Sequence, residues 1–267
     1  MKDDTTEMLA DPMRVDPFAP GVIRLRQAVR ATFRAVVGEA PLILRVDQGR
    51  KVIREGNCPH SLEGIDVPEG ALALMPARVA LDVENHPASD GPYRATGLLI
   101  PAGIAVPTGA STPGATSDQR SMAAFDRALD MMRRPGVPQS IRDHAVLEVL
   151  LWLDAAGLRL PPAGPLGPVE RIRQLVAQDL AHDWTAVEVA AALATSEATL
   201  RRRLAAAGTG LARLLTDLRM NRALGLLQCT DLPVTVIALE VGYASPSRFA
   251  LRFRERFGLS PRAVRGD

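Results

Sequence analysis

A nine-residue segment near the middle of the chain constrains the fold more than any other feature. Leu160 to Pro168 contains four prolines and two glycines, a composition that excludes regular helix or strand and favours a stiff, extended connector. With 267 residues, the chain is long enough for two medium domains. We therefore expect a first domain over residues 1–160, a linker over 161–168 and a second domain over 169–267.

The first domain is predicted to be β structure followed by two helices. Between residues 22 and 108, short apolar runs alternate with turn residues, which is typical of strands in a small barrel or sandwich. The runs are Pro41–Val46, Lys51–Arg54, Gly70–Met75, Val79–Val83 and Gly97–Ile100. Helices are expected over about residues 118–134 and 139–156. Together with a helical second domain, this predicts an α+β chain that begins with a small, cupin-like β-barrel.

The helix predicted over residues 139–156 is apolar around much of its circumference. Such a helix must be buried on more than one side, either against its own domain or against a second copy of the chain. Leu147, Leu151 and Trp152 are the candidate residues for a homodimer contact, with packing inside the domain as the alternative.

The second domain shows helix start and stop signals that occur twice in the same order. Thr185 and Glu188 form a capping box that opens a short helix, and Ser196 is the N-cap of the next helix, Glu197–Ala206. After a long helix over residues 211–227, a short helix ends at Gly242, and Ser245 caps a helix over residues 247–257. The pattern predicts two helix-turn-helix units joined by a long helix.

A helix-turn-helix unit presents the first turns of its second helix to the major groove of DNA. The outward residues of the two second helices are Glu197, Ala198, Thr199, Arg201, Arg202, Ser247, Arg248, Leu251 and Arg252, and the N-caps Ser196 and Ser245 lie at the ends that face DNA. A joining helix of 17 residues spans about 25 Å, which is enough to hold two reading helices roughly one DNA turn apart. The charge pattern agrees with a nucleic-acid partner, because residues 166–267 carry 14 arginines, no lysine and 10 acidic residues. A genome rich in GC codons is the alternative explanation for the arginines.

Three segments carry a resemblance to a known family: Arg219–Ala223, Ile237–Tyr243 and Phe249–Pro261. Through them, residues 169–265 resemble the DNA-binding domain of AraC/XylS-type bacterial transcription regulators. The resemblance implies that the two reading helices enter adjacent major grooves of double-stranded DNA. It also implies a first domain that binds a small-molecule effector or dimerises, and a regulator, more often an activator, that acts on RNA polymerase.

Three residues depart from the family pattern. Ala194 stands in the first turn where glycine is frequent, so we expect that turn to be built differently or to carry slight strain. Pro246 replaces a polar residue, and Leu251 replaces a frequent arginine. The second helix is therefore expected to read fewer bases and to rely more on phosphates and thymine methyl groups.

Two other classes of function are alternatives to a DNA-binding regulator. Cys58, His60, Glu63 and His86 suggest a cupin-type metal-dependent enzyme fused to a helical module, but Leu62 stands where the second histidine of an HxH pair is required. We therefore predict no metal, no cofactor and no enzymatic activity. A protein-binding adaptor is the third possibility. No run of about 18 apolar residues and no secretory signal occur, which predicts a cytoplasmic protein that does not span a membrane.

Overall fold

The computed structural model describes residues 21–56, 64–101, 103–104, 107–109, 114–162 and 164–266. The described residues form strands followed by helices, which is the α+β order that the sequence predicts. The strands are β1 (Gly21–Gln27), β2 (Ala31–Val37), β3 (Leu42–Gln48), β4 (Arg50–Glu55), β5 (Ile65–Val67), β6 (Leu72–Met75), β7 (Ala80–His86), β8 (Tyr93–Leu99) and β9 (Gly114–Thr116). The helices are α1 (Gln119–Arg133), α2 (Gln139–Ala155), α3 (Pro168–Ala177), α4 (Ala186–Ala192), α5 (Glu197–Ala206), α6 (Leu211–Cys229), α7 (Val234–Glu240), α8 (Pro246–Phe257) and α9 (Pro261–Arg265).

The strands form two antiparallel sheets, and the prediction of a closed barrel is wrong. One sheet has the order β1-β8-β3-β6-β9 and the other the order β2-β7-β4-β5. Among the described residues no strand pairing joins the sheets; instead, side chains from both meet in one apolar cluster that includes Phe33, Leu44 and Ile53. The five predicted apolar runs correspond to β3, β4, β6, β7 and β8. Strands β1, β2, β5 and β9 were not predicted, and β9 lies in a segment whose composition indicates a loop.

The first sheet is buried on both faces because successive side chains of a strand point to opposite sides. In β3, Leu44 faces the cluster shared with the second sheet, whereas Ile43 faces a separate cluster formed with α1 and α2. The two helices thus cover the outer face of this sheet. Neither they nor any other helix in the described ranges is long and apolar enough to cross a membrane.

Helix α2 meets its own domain on one side. Val146, Val149, Leu150 and Leu153 are buried there. Trp152 packs against the same cluster and lies under the guanidinium of Arg120, 5.5 Å from the ring centre. The opposite side holds Ile141 and Leu151, which are 50% and 53% exposed, and Leu147 lies between the two sides. Packing within the domain therefore accounts for part of the apolar circumference, and the homodimer contact stays a prediction.

The helical half of the chain contributes to two different cores. Helices α3, α4 and α5 pack with the start of α6 around Leu200, Leu204 and Leu214. The end of α6, with α7, α8 and α9, belongs instead to the cluster that fills the space between the sheets. Phe257 of α8 contacts Phe33 of β2 edge to face, with ring centres 5.5 Å apart. The second helix-turn-helix unit is thus packed onto the β domain, whereas the first has its own core.

A bulge in β2 adds polar contacts to this junction. The register between β2 and β7 shifts between Phe33 and Val36, and Ala35 adopts a left-handed conformation with φ of 50°. Its carbonyl accepts a hydrogen bond from Nη2 of Arg256 at 3.2 Å, and Nε of the same arginine donates to Asp217 at 3.0 Å. One arginine of α8 therefore ties the β domain to α6.

Candidate DNA interface and interdomain cavity

The two helix-turn-helix units are α4–α5 and α7–α8, and their starts follow the local signals in the sequence. The side chain of Thr185 accepts from the backbone N–H of Glu188, and the Glu188 carboxylate accepts from the backbone of Thr185, so the predicted capping box is confirmed. The bonds from Thr185 hold the pKa of Glu188 below its usual range. Ser196 and Ser245 cap α5 and α8 by accepting from Thr199 N–H at 3.2 Å and Arg248 N–H at 3.4 Å.

The turns between the paired helices have the same backbone path. In the first unit, Thr195 N–H donates to Ala190 O, and in the second, Tyr243 N–H donates to Ala238 O. This closure requires a left-handed residue just before each donor, and those residues are Ala194 with φ of 47° and Gly242 with φ of 81°. Alanine thus adopts the conformation that glycine adopts in the second unit, and the expected strain at Ala194 is present.

The first reading helix, α5, separates its buried and exposed residues as predicted. Leu200 and Leu204 are buried, while Ala198, Arg201 and Arg202 are exposed. Glu197 and Thr199 are half-buried, and the Thr199 hydroxyl accepts a hydrogen bond from Ser196 Oγ at 3.0 Å. Arg201 Nη2 lies 3.0 Å from Oε2 of Glu197 and forms an ion pair with it. To contact a base, the Arg201 side chain must leave this ion pair.

The second reading helix, α8, has the same arrangement with an aromatic inner face. Phe249 and Phe253 are fully buried, and their ring centres lie 5.8 Å apart. The predicted outward residues Ser247, Arg248, Leu251 and Arg252 are all exposed. Arg252 pairs with Glu255 at 2.8 Å. Leu251 is 58% exposed, as is Leu239 of α7.

Arg219 of α6 connects the two units, a role that sequence reasoning did not assign. Its Nε donates to Leu180 O at 2.8 Å and its Nη2 to His182 O at 2.9 Å, so it holds the segment that precedes the first unit. The same guanidinium lies 5.9 Å from the ring centre of Tyr243, in the turn of the second unit. The only sequence signal was its place in a family motif.

A cavity of about 630 Å³ lies between the β domain and α6. This volume is within the range of small-molecule sites. Its walls are mainly apolar side chains, including Ile23, Leu25, Leu42, Leu44 and Val83 from strands and Leu224 from α6. Three of the predicted apolar runs, Pro41–Val46, Gly70–Met75 and Gly97–Ile100, contribute to these walls through Leu42, Leu44, Met75 and Leu99. In the same runs, Ile43, Leu74 and Leu98 face α1 and α2 instead.

Lys51 is the buried cation of this cavity. Its ammonium donates to Asn85 Oδ1 at 2.8 Å and lies 5.6 Å from the ring centre of Tyr93. No carboxylate of the described ranges forms an ion pair with it. Burial lowers the pKa of Lys51 from 10.5 to about 7, because the charged form loses its hydration. A ligand that carries a negative charge would supply the missing partner.

Of the four residues considered for metal binding, the structure describes only His86. Cys58, His60 and Glu63 lie outside the described residues. His86 is described, and its Nε2 lies 3.2 Å from Oε1 of Glu84. Within the described ranges, no group of three His, Cys, Asp or Glu side chains is placed to hold an ion. Burial raises the pKa of Cys229 to about 12, which keeps its thiol protonated at neutral pH.

Comparison with known proteins gives matches over the helical half and over the whole chain. Residues 189–267 match the family model described as a helix-turn-helix domain. GadX, a transcriptional regulator of Escherichia coli, is 34% identical over 91 residues, which are 34% of this chain and 33% of GadX. A putative AraC-like transcription regulator of Streptomyces antibioticus is 28% identical over 275 aligned positions, covering 85% of this chain and 88% of the relative.

One group of solved structures resembles more than nine tenths of the chain. ToxT of Vibrio cholerae superimposes with a TM-score of 0.64 at 15% identity, over 91% of this chain and 95% of ToxT. ToxT with a bound unsaturated fatty acid superimposes with a TM-score of 0.60 at 16% identity, over 93% of this chain and 96% of ToxT. At this level of identity the likeness establishes a shared fold, a β-rich domain followed by a helical one.

Proposed function

The C-terminal domain belongs to the AraC type of helix-turn-helix domains, and we propose that the whole chain is a sequence-specific DNA-binding transcription regulator. The observation that carries the proposal is the repeated unit, with one exposed, arginine-bearing helix face in each copy. Helix α6, with 19 residues and a length of about 28 Å, joins the two copies. We propose that α5 and α8 read two successive major grooves.

Within each reading helix the residues have different roles. Arg201 and Arg202 of α5 donate to guanine edges, and this pair dominates specificity. In α8, Arg248 and Arg252 contact bases or phosphates, and exposed Leu251 contacts a thymine methyl group. The helix N-termini at Ser196 and Ser245 approach the backbone phosphates. Glu197, Ala198, Thr199 and Ser247 complete the surface that faces the groove.

The test is selection of sites from a random duplex pool by the full chain at near-physiological salt. We expect two short motifs about one helical turn apart, with binding that weakens steeply as salt is added. Arg201→Ala and Arg202→Ala should each cost about 1–3 kcal/mol of binding free energy and relax the preference at their own base. Arg133→Ala removes the same charge from an exposed position in α1 and is the matched control. An unenriched pool would refute sequence-specific reading.

We propose further that the cavity takes an effector with an apolar body and one carboxylate. Its apolar walls and the buried ammonium of Lys51 match those two parts of such a molecule. The neighbour ToxT has been solved with an unsaturated fatty acid, which supports the same ligand class for this chain. DNA binding is then modulated through the N-terminal domain.

The effector proposal is tested with oleate and its methyl ester, which share the apolar body and differ in charge. Calorimetry should show oleate binding to the full chain, and Lys51→Met should weaken it about tenfold or more, since a charge-assisted hydrogen bond is lost. The ester should bind both proteins alike. Equal oleate affinity in both proteins would exclude Lys51 as the head-group partner.

Two partners complete the proposal. A homodimer forms through the outer side of α2, where Leu151 is exposed, and the half-buried Leu147 and Trp152 border this contact. Leu151→Asp should then lower the mass measured by light scattering, and an unchanged dimer mass would refute this contact. RNA polymerase is the partner in activation, in the cytoplasm where the chromosome lies. The relatives named above are regulators rather than enzymes, so the alternative of a metal-dependent enzyme gains no support.

A further inference from the structure

The lysines of this chain are Lys2 and Lys51, and the structure describes Lys51 in a buried position. Lys51 lies on β4 directly opposite Asn85 on β7, and both residues belong to the wall of the interdomain cavity. Lys51 is only 3% exposed, although a lysine is almost never fully buried unless it is paired. An amine buried in the wall of a cavity is a candidate functional group.

The neighbours of the Lys51 amine carry no charge. Its Nζ donates to Asn85 Oδ1 at 2.8 Å and lies 5.6 Å from the ring centre of Tyr93. Asn85 donates through its own Nδ2 to Gln27 Oε1 at 2.8 Å, which keeps the Asn85 oxygen turned toward Lys51. Within the described residues, the amine has no second acceptor. The nitrogen is therefore held in place by one hydrogen bond and stays within reach of a molecule in the cavity.

Burial sets the protonation state of Lys51. It lowers the pKa of the amine to about 7, so roughly half of the molecules carry a neutral amine at pH 7. A lysine with the ordinary pKa of 10.5 is neutral at this pH in roughly one molecule of 3,000. The wall also contains three carboxylates and one arginine, and none of the carboxylates forms an ion pair with Lys51; they are Glu39, Asp179, Glu240 and Arg222.

A neutral lysine in an apolar cavity is suited to react with a carbonyl compound. The neutral amine is a nucleophile and the ammonium is not, and desolvation in an apolar pocket is one way in which proteins activate a lysine for Schiff-base formation. The walls that surround Lys51 are mainly aliphatic, among them Leu42, Leu44 and Leu224. A cavity of about 630 Å³ has room for a small molecule with an alkyl chain.

We propose that Lys51 is a covalent attachment site for an aldehyde with an apolar chain. The lone pair of Nζ attacks the carbonyl carbon, and the oxygen takes up a proton to give a carbinolamine. Water then leaves with both hydrogens of the neutral amine, and a C=N double bond remains. The inference goes beyond the proposed effector function, because it needs the cavity and the amine but no carboxylate on the ligand.

The contacts around Nζ suit the adduct as well as the free amine. When the imine takes up a proton, its single N–H donates to Asn85 Oδ1 in place of the ammonium. The positive charge stays beside the ring of Tyr93. Addition of water reverses the reaction through the same carbinolamine. The occupancy of Lys51 therefore follows the concentration of the aldehyde.

The first test is reductive trapping of the imine. The full chain is incubated at pH 7 with decanal and sodium cyanoborohydride, which converts the imine to a stable decyl amine, and the modified peptides are identified by mass spectrometry. We expect Lys51 to react at least about tenfold faster in the folded chain than in guanidinium chloride, where the cavity is lost. The rate at Lys2 serves as the internal reference. Equal rates at Lys51 in both conditions would overturn the proposal.

The pH dependence tests whether the neutral amine is the reacting species. The rate at Lys51 should level off above about pH 7. Asn85→Asp keeps the size of the side chain and places a carboxylate beside Nζ, which favours the ammonium. Labelling at pH 7 should then fall about tenfold, and the levelling should move to higher pH. An identical pH profile in both proteins would contradict the assignment of Lys51 as the nucleophile.

The class of ligand is tested with glyceraldehyde, which has the same reactive group on a polar body. Decanal should prefer Lys51 over Lys2, and glyceraldehyde should not. Attachment of both aldehydes to Lys51 at the same rate would overturn the apolar class.

The outcome is independent of the carboxylate effector. Attachment of decanal without binding of oleate would establish the covalent site and refute the carboxylate effector. Binding of oleate without attachment of decanal would do the reverse. DNA-site selection is measured separately from both.

Discussion

Replacing Ala194 by glycine is expected to stabilise the protein, although the change removes a methyl group. Ala194 has a φ of 47°, a left-handed conformation that costs an L-residue about 1–2 kcal/mol and glycine almost nothing. Glycine also has more conformational freedom than alanine in the unfolded chain, which lowers the free energy of unfolding by about 0.4–1 kcal/mol. The difference favours Ala194→Gly by about 0.5–1 kcal/mol.

The assay is urea unfolding followed through Trp184, in a Trp152→Phe background so that only one indole reports. Trp184 packs against the core of the first helix-turn-helix unit, and its Nε1 donates to Asp179 O at 2.8 Å. Its fluorescence therefore follows the part of the chain that contains Ala194. We expect a higher urea midpoint with an unchanged slope, and a thermal midpoint raised by about 1–4 °C.

Two glycines test the reasoning in the opposite direction. Gly208 has a φ of 69°, and a Cβ there meets no atom within 4 Å, so Gly208→Ala measures the conformational cost alone. Gly242 is the equivalent of Ala194, but its Cβ would lie 2.7 Å from Leu180 O, the acceptor of Arg219. Gly242→Ala should therefore be the most destabilising of the three, by roughly 2–4 kcal/mol. A lower midpoint for Ala194→Gly would refute the assignment of strain.

Three further predictions concern burial, capping and the domain junction. The unfolded chain keeps a proton on Lys51 up to its pKa of 10.5, whereas the folded chain loses this proton near pH 7. The free energy of unfolding should therefore rise between pH 7 and 10. Urea midpoints measured over this range should show the rise, and Lys51→Met should flatten it. Ser196→Ala and Ser245→Ala should each cost about 1 kcal/mol in thermal unfolding, and no loss at either site would contradict the capping bonds. Phe257→Ala should cost about 3–5 kcal/mol and speed hydrogen exchange in β2 as well as α8; exchange limited to α8 would disprove the shared core.

The helical half was largely predictable because its signals are local. Ser196 and Thr185 act on backbone groups within three residues, so the bounds of α5 were predicted as the structure has them. The equivalent placement of Ala194 and Gly242 follows from the same short-range closure. Phe249 and Phe253 are four residues apart, a spacing that places them on one face of a helix, and both are fully buried.

The β domain and the junction were less predictable because their determinants are distant in sequence. Strands β1 and β2 carry arginines between their apolar residues, which hides them from a search for apolar runs. Closure into a barrel depends on which strands become edges, and no local pattern encodes that. Gln27 and Lys51 look like solvent-facing strand residues, and only contacts with residues far along the chain reveal their burial.

The contact between Phe33 and Phe257 limits how freely this architecture can be recombined. Because the second DNA-reading unit completes its core with side chains from the β sheets, the helical half cannot be transferred to another protein as an independent domain. A chimera with a foreign first domain would leave the aromatic face of α8 uncovered at Phe257. It would also remove the carbonyl oxygen of Ala35, which accepts a hydrogen bond from Arg256. A successful graft must therefore supply both, or carry strand β2 along with the helices.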